Sequence, residues 1–92
     1  MKHRKLNRHL VLNNIIEKTG CTDFKPVRVD KHGDLVARAM RAGDRLVIIL
    51  EQARRVVGYN LFRTNPTQLN RAKRYTSAFL NEKKVLWKGG QQ

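Results

Sequence analysis

Ninety-two residues carrying 20 Lys and Arg against seven Asp and Glu give a formal charge of +13. A chain of this length makes one small domain, expected to span residues 1–92, with a modest core. Its longest unbroken apolar run is Leu46 to Leu50, far short of a membrane span. Its single cysteine excludes a disulfide framework and points to a reducing, cytoplasmic setting.

The chain begins with a basic arm. Residues 1–9 hold Lys2, Arg4, Lys5 and Arg8, with His3 and His9 and no acid. Residues 1–6 are expected to be mobile, and the arm's composition suits phosphate contact. A basic start followed by apolar residues resembles a signal peptide. Asn13, Asn14 and Glu17 interrupt the apolar part, however, and no small-residue cleavage site follows.

A first helix is predicted over residues 8–19. Val11, Leu12, Ile15, Ile16 and Thr19 fall on one stripe, Asn7 suits the N-cap, and Gly20 suits a left-handed C-cap. Thr22 to Lys25 then reads as a linker, and Cys21 as a small apolar residue rather than a reactive thiol.

Phe24 to Phe62 reads as a four-stranded antiparallel meander. Its strands are KPVRV, DLVARAM, RLVIILE and RVVGYNLF, and its turns are Lys31-His32-Gly33, Arg41-Ala42-Gly43-Asp44 and Gln52-Ala53-Arg54. Gly33 and Gly43 supply positive φ where such turns need it. Pro26 suits the start of an edge strand. Val27 and Val29 are expected on one face of the first strand, with Arg28 and Asp30 on the other. The third strand is apolar on both faces and should be central and covered twice. In the fourth, Val57, Tyr59 and Leu61 are expected to alternate with Val56, Gly58, Asn60 and Phe62, with Gly58 marking a bulge or a close backbone approach. The competing reading is all-α, with helices over Asp34–Gly43 and Arg45–Val57; the β-branched content of the third run argues against it.

Asn65-Pro66-Thr67-Gln68 opens a second helix, with Asn65 as cap, Pro66 at the first helical position and Gln68 reaching back. Leu69, Ala72, Thr76, Phe79 and Leu80 form its buried stripe, and it is expected to reach about Lys84. Val85-Leu86-Trp87 should fold back on the core or a partner, and residues 88–92 form a frayed tail. The fold class is therefore α+β: N-terminal helix, four-stranded meander, C-terminal helix.

The charge is uneven. Residues 1–9 carry +4, residues 10–23 carry −1, residues 24–62 carry +4 and residues 63–92 carry +6. Such an excess opposes compaction and favours polyanions, of which nucleic acid is the commonest. The candidate phosphate contacts are Lys2, Arg4, Lys5, Arg8, Arg71, Lys73, Arg74, Lys83 and Lys84. Arg38, Arg54 and Arg55 on the strands form a second group. Tyr59, Tyr75 and Trp87 are candidates for base stacking, with core the commoner role for Tyr59 and Tyr75 and an equal one for Trp87. No aromatic pair sits on adjacent strands as in an RNA-recognition sheet, and no helix-turn-helix or zinc-finger spacing occurs.

Enzyme chemistry finds little support. The histidines, Cys21 and the acids do not fall at metal-ligand spacing, and no phosphate loop or nucleophile elbow is present. His32, in a turn, is expected to be exposed. Asp30 or Asp34, Glu51 and Gln68 resemble PD-(D/E)xK nucleases in order only, because the position two after Glu51 is Ala53 rather than lysine. A toxin-like endoribonuclease would draw on His32, Arg38, Arg54 and Tyr59, but nothing in the spacing orders them.

The expectation is thus a non-enzymatic nucleic-acid-binding protein without cofactor or metal, working through the phosphate backbone with little base-specific readout. The alternative is a basic inhibitor or adaptor for an acidic protein. A homodimer is a further expectation, because two-sided strands and the Val85-Leu86-Trp87 tail have few covers within one chain.

Overall fold

The computed structural model describes residues 7–81. Helix α1 (Arg8–Thr19) leads into strands β1 (Lys25–His32), β2 (Leu35–Ala42), β3 (Arg45–Gln52) and β4 (Arg55–Arg63), and helix α2 (Pro66–Leu80) closes the order. The strands form one antiparallel sheet in the order β1-β2-β3-β4. This is the α+β arrangement expected from the sequence, and the all-helical alternative is discarded.

Both helices begin and end on local signals. The Asn7 side chain accepts from the Leu10 backbone N–H at 3.0 Å. Gly20 adopts φ 79 and donates to the Ile16 carbonyl at 2.8 Å, closing α1 with a left-handed residue that costs glycine nothing. Asn65 accepts from the Gln68 N–H at 2.9 Å, and Pro66 follows at the start of α2. The described part of α2 ends at Leu80 with Asn81 as its cap, short of the Lys84 expected from the stripe.

The apolar run of β3 decides the layering. Val47 and Ile49 face α1 and bury with Val11 and Ile15, with Phe24, Met40, Val56 and Leu61 at the margin. Leu46, Ile48 and Leu50 face α2 and bury with Ala37, Phe62, Ala72 and Phe79. Each such aliphatic side chain contributes about 1.5–3 kcal/mol on leaving water, so a strand apolar on both faces demands a helix on each. The chain supplies both covers itself. That removes the two-sided-strand argument for a homodimer; the Val85-Leu86-Trp87 part of it lies outside the described residues.

Two bulges correct the expected faces. The register shifts between Pro26 and Arg28, where Val27 is the extra residue, and Val27 joins Arg28 on the α2 side instead of sharing a face with Val29. A second shift between Leu50 and Glu51 leaves Val57 unpaired beside Gly58. Val56, not Val57, therefore packs with Leu61 under α1, while Val57 is exposed.

The turns are tighter than expected, each with two residues between paired strand ends. Gly33-Asp34 and Gly43-Asp44 have positive φ only at the glycine, the pattern of type II′ hairpins. Ala53-Arg54 has positive φ at both positions, 53° and 70°, the pattern of type I′, which Asn-Gly normally fills.

The sheet has an upper end, carrying turns Gly33-Asp34 and Ala53-Arg54, which touch through the Ala53 N–H and the Asp34 carbonyl at 3.3 Å. Its lower end carries Gly43-Asp44. Helix α1 starts at the upper end, where Arg8 meets Glu51 at 2.9 Å. Helix α2 starts at the lower end, where the Thr64 N–H meets the Asp44 carbonyl, and finishes at the upper one. There His32 Nδ1 donates to the Leu80 carbonyl at 3.0 Å and ties the end of the helix to β1.

Candidate nucleic-acid interface

Of the twelve cations singled out from the sequence, Lys2, Arg4, Lys5, Lys83 and Lys84 lie outside the described residues. The other seven fall into three groups, distinguished by what the fold has already given them as partners.

Arg8 and Arg38 share one carboxylate. Glu51 ends β3 on the α1 face and is only 6 % exposed. Its Oε2 accepts from Arg8 Nε at 2.9 Å and Arg38 Nε at 3.3 Å. A carboxylate this deep needs charged donors, since an unpartnered buried charge costs several kcal/mol. The second arginine leaves the cluster one positive charge in excess. Arg8 keeps half its side chain in water, so it can face solvent while holding Glu51.

Arg54 and Arg55 stand in and beside the strained turn at the same upper end. Left-handed backbone costs about 1–2 kcal/mol for a residue with a Cβ, so Ala53 and Arg54 hold this shape only because the flanking strands impose it. Neither arginine has an acidic partner among the described residues. Lys31, which the sequence reading passed over, lies exposed on β1 near the same end and is likewise without an acidic partner there.

Arg71, Lys73 and Arg74 line the outer side of α2, which holds no acid between Pro66 and Leu80. With Ala72 and Phe79 buried, a turn of 3.6 residues puts Asn70, Arg74 and Ser77 on the opposite, outward ridge. Arg71 and Lys73 fall on its two flanks. All five are exposed.

The remaining cations are largely committed. Arg63 and Arg45 hold Asp44 at 3.1 and 3.8 Å, Lys25 approaches Asp23 at 3.7 Å, and Arg28 holds Asp30 at 3.0 Å. Arg45, Arg63 and Lys25 at the lower end thus have acidic partners, with Arg45 and Arg63 sharing Asp44, whereas Arg54, Arg55 and the cations of α2 have none among the described residues.

A cleft of about 680 Å³ opens between α2 and β1, because α2 packs chiefly on β2, β3 and β4 and is tied to β1 at the upper end by His32. Ala37, Ala39 and Ile48 are among its lining residues, Lys73 and Ser77 line the helix side, and Arg28 and Arg41 the sheet side. The sequence reading missed Arg28 and Arg41. Two-residue turns put Arg28 of β1 and Arg41 of β2 on the same sheet face as Ala37 and Ala39, an alignment that the longer turns expected from the sequence obscure.

The aromatic candidates separate. Tyr75 is core: its ring meets Phe62 edge-on at 5.8 Å, and burial pushes its phenol well above the ordinary tyrosine range. Tyr59 is 39 % exposed on the α1 face and keeps a stacking surface. Trp87 lies outside the described residues. His32 is exposed, as expected, but engaged with α2. Among the described residues no cluster of His, Cys, Asp and Glu is placed to hold a metal, and no helix is long and apolar enough to cross a membrane.

No family model, curated protein or solved structure matches this chain.

Proposed function

We propose that this protein binds nucleic acid, chiefly through the phosphate backbone, in a regulatory or architectural rather than an enzymatic role. One observation carries the reading. Arg54, Arg55, Arg71, Lys73 and Arg74 are exposed and have no acidic partner among the described residues, while the carboxylates Asp23, Asp30, Asp44 and Glu51 are engaged by other cations. A surface that wanted only solubility would intersperse both signs.

Fluorescence-anisotropy titration of the full chain against duplex DNA, single-stranded DNA and structured RNA tests this at two salt concentrations. If five cations neutralise phosphates, affinity falls about 500-fold between 50 and 200 mM salt. A flat signal with all three refutes the reading and favours docking on an acidic protein. Cleaved product in a magnesium control favours a nuclease.

A further inference from the structure

We infer that α2 enters the major groove of duplex DNA and reads base edges from its outward ridge; this rests on the nucleic-acid reading above and narrows it to one polymer. The helix has the dimensions and the surface for it. Fifteen residues make a rod about 22 Å long, and a helix of ordinary diameter fits the roughly 12 Å major groove of B-DNA. The deep, narrow major groove of A-form RNA would refuse it.

The side chains are sorted as a groove-reading helix requires. Asn70 and Arg74 lie one turn apart on the ridge, with Ser77 following. Asn pairs bidentately with adenine and Arg with guanine, and Ser accepts either edge. None of the three has an ion pair or side-chain hydrogen bond among the described residues, so nothing there must be broken before they reach a base. Arg71 and Lys73 stand on opposite flanks, where the two sugar-phosphate strands bordering the groove would pass.

The cleft explains how the helix can approach closely. A helix lying flat on a fully covered sheet would collide with the backbone on one side. Here, below the contact of His32 with Leu80, the trough between α2 and β1 gives one phosphate strand a channel. Arg28, Arg41 and Lys73 line that channel against a single carboxylate, Asp30, which Arg28 already holds. The small side chains Ala37 and Ala39 keep its floor low. Arg28 donates to Asp30 and Arg41 to the Gly43 carbonyl through Nε, leaving the terminal guanidinium nitrogens of each to meet a phosphate. The acid-free helix, the cation on each flank and the open trough beside one flank are complementary to a grooved polyanion.

The test is a selection of bound sequences from a randomised duplex DNA pool by the full chain, run beside titrations with duplex DNA and duplex RNA. The expected result is an enriched motif of a few base pairs. Asn70→Ala and Arg74→Ala each lose discrimination at one position of it, by roughly ten- to a hundredfold. Lys73→Ala weakens all sequences alike and lowers the salt slope by about 1. These residues are exposed, and circular dichroism of each variant verifies that it folds. Retention of the pool without enrichment, or equal binding to duplex RNA, overturns the major-groove inference and leaves the phosphate reading standing. Retention of no nucleic acid overturns both.

Discussion

Glu51→Gln separates stability from binding at the upper end, because the two should move in opposite directions. The carboxylate is 6 % exposed and holds Arg8 and Arg38, whose side chains are 50 % and 27 % exposed. Breaking a fully buried pair by removing one partner costs about 3–5 kcal/mol. Arg8 can turn into water and Gln keeps the shape and some hydrogen bonding, so about 2–3 kcal/mol is expected here, scaled down from that range. A small domain with 5–15 kcal/mol in hand stays folded after such a loss. Meanwhile two guanidiniums are released from their internal anion. If both then meet phosphates, the salt slope steepens by about 1.8, and the loss of affinity between 50 and 200 mM salt grows roughly twelvefold. Urea unfolding reads the first effect and anisotropy the second. An unchanged urea midpoint would show that the carboxylate does not organise the cluster. A lowered midpoint with an unchanged slope would show that Arg8 and Arg38 point away from the polyanion.

The strained turn should yield to Ala53→Asn, which suits positive φ and is expected to stabilise the fold by about 1 kcal/mol in a urea titration while leaving Arg54 in place. Ile49→Ala, at a fully buried position under α1, should cost about 2–5 kcal/mol; a smaller loss would mean α1 is weakly docked. Tyr75 makes stability fall as pH rises above about 10. Its phenol ionises in the unfolded chain near the ordinary tyrosine value but resists in the folded one, so the folded state binds more protons there and loses ground as they are withdrawn. Chemical denaturation at pH 9 and 11 should show this fall, and Tyr75→Phe should flatten it.

What the sequence reveals of this fold is what depends on near neighbours. The caps Asn7, Gly20 and Asn65 and the two-sided apolar run of β3 are legible because each is a property of a few consecutive residues. Gly58 announces the second bulge, but the extra residues themselves, Val27 and Val57, are not legible, because each is extra only relative to the partner strand. A single inserted residue flips the face of what precedes it, which is why Val56 and Val57 exchange roles. The turn at Ala53-Arg54 carries no glycine or asparagine. Its shape comes from the pairing of Gln52 with Arg55, which no local residue announces. The candidate cations follow the same rule. Helical periodicity alone sorts the faces of α2, so the outward position of Arg71, Lys73 and Arg74 is legible in the sequence. The engagement of Arg8 and Arg38 is not, because nothing local says that a carboxylate on β3 lies against both.

Where α2 finishes follows from counting elements. The chain enters the described core at the upper end, where Arg8 meets Glu51, and α1 runs down to the start of β1. The strands alternate in direction, and β4 finishes at the lower end beside Asp44. Helix α2 then returns to the upper end, where Leu80 meets His32. Six elements, each reversing the last, bring the chain back to the end where it began. With one strand fewer or more, α2 would run downward and finish beside Asp44 and its two arginines. The even count places the exit of α2 at the end where Arg54, Arg55 and the Glu51 cluster already leave a positive excess.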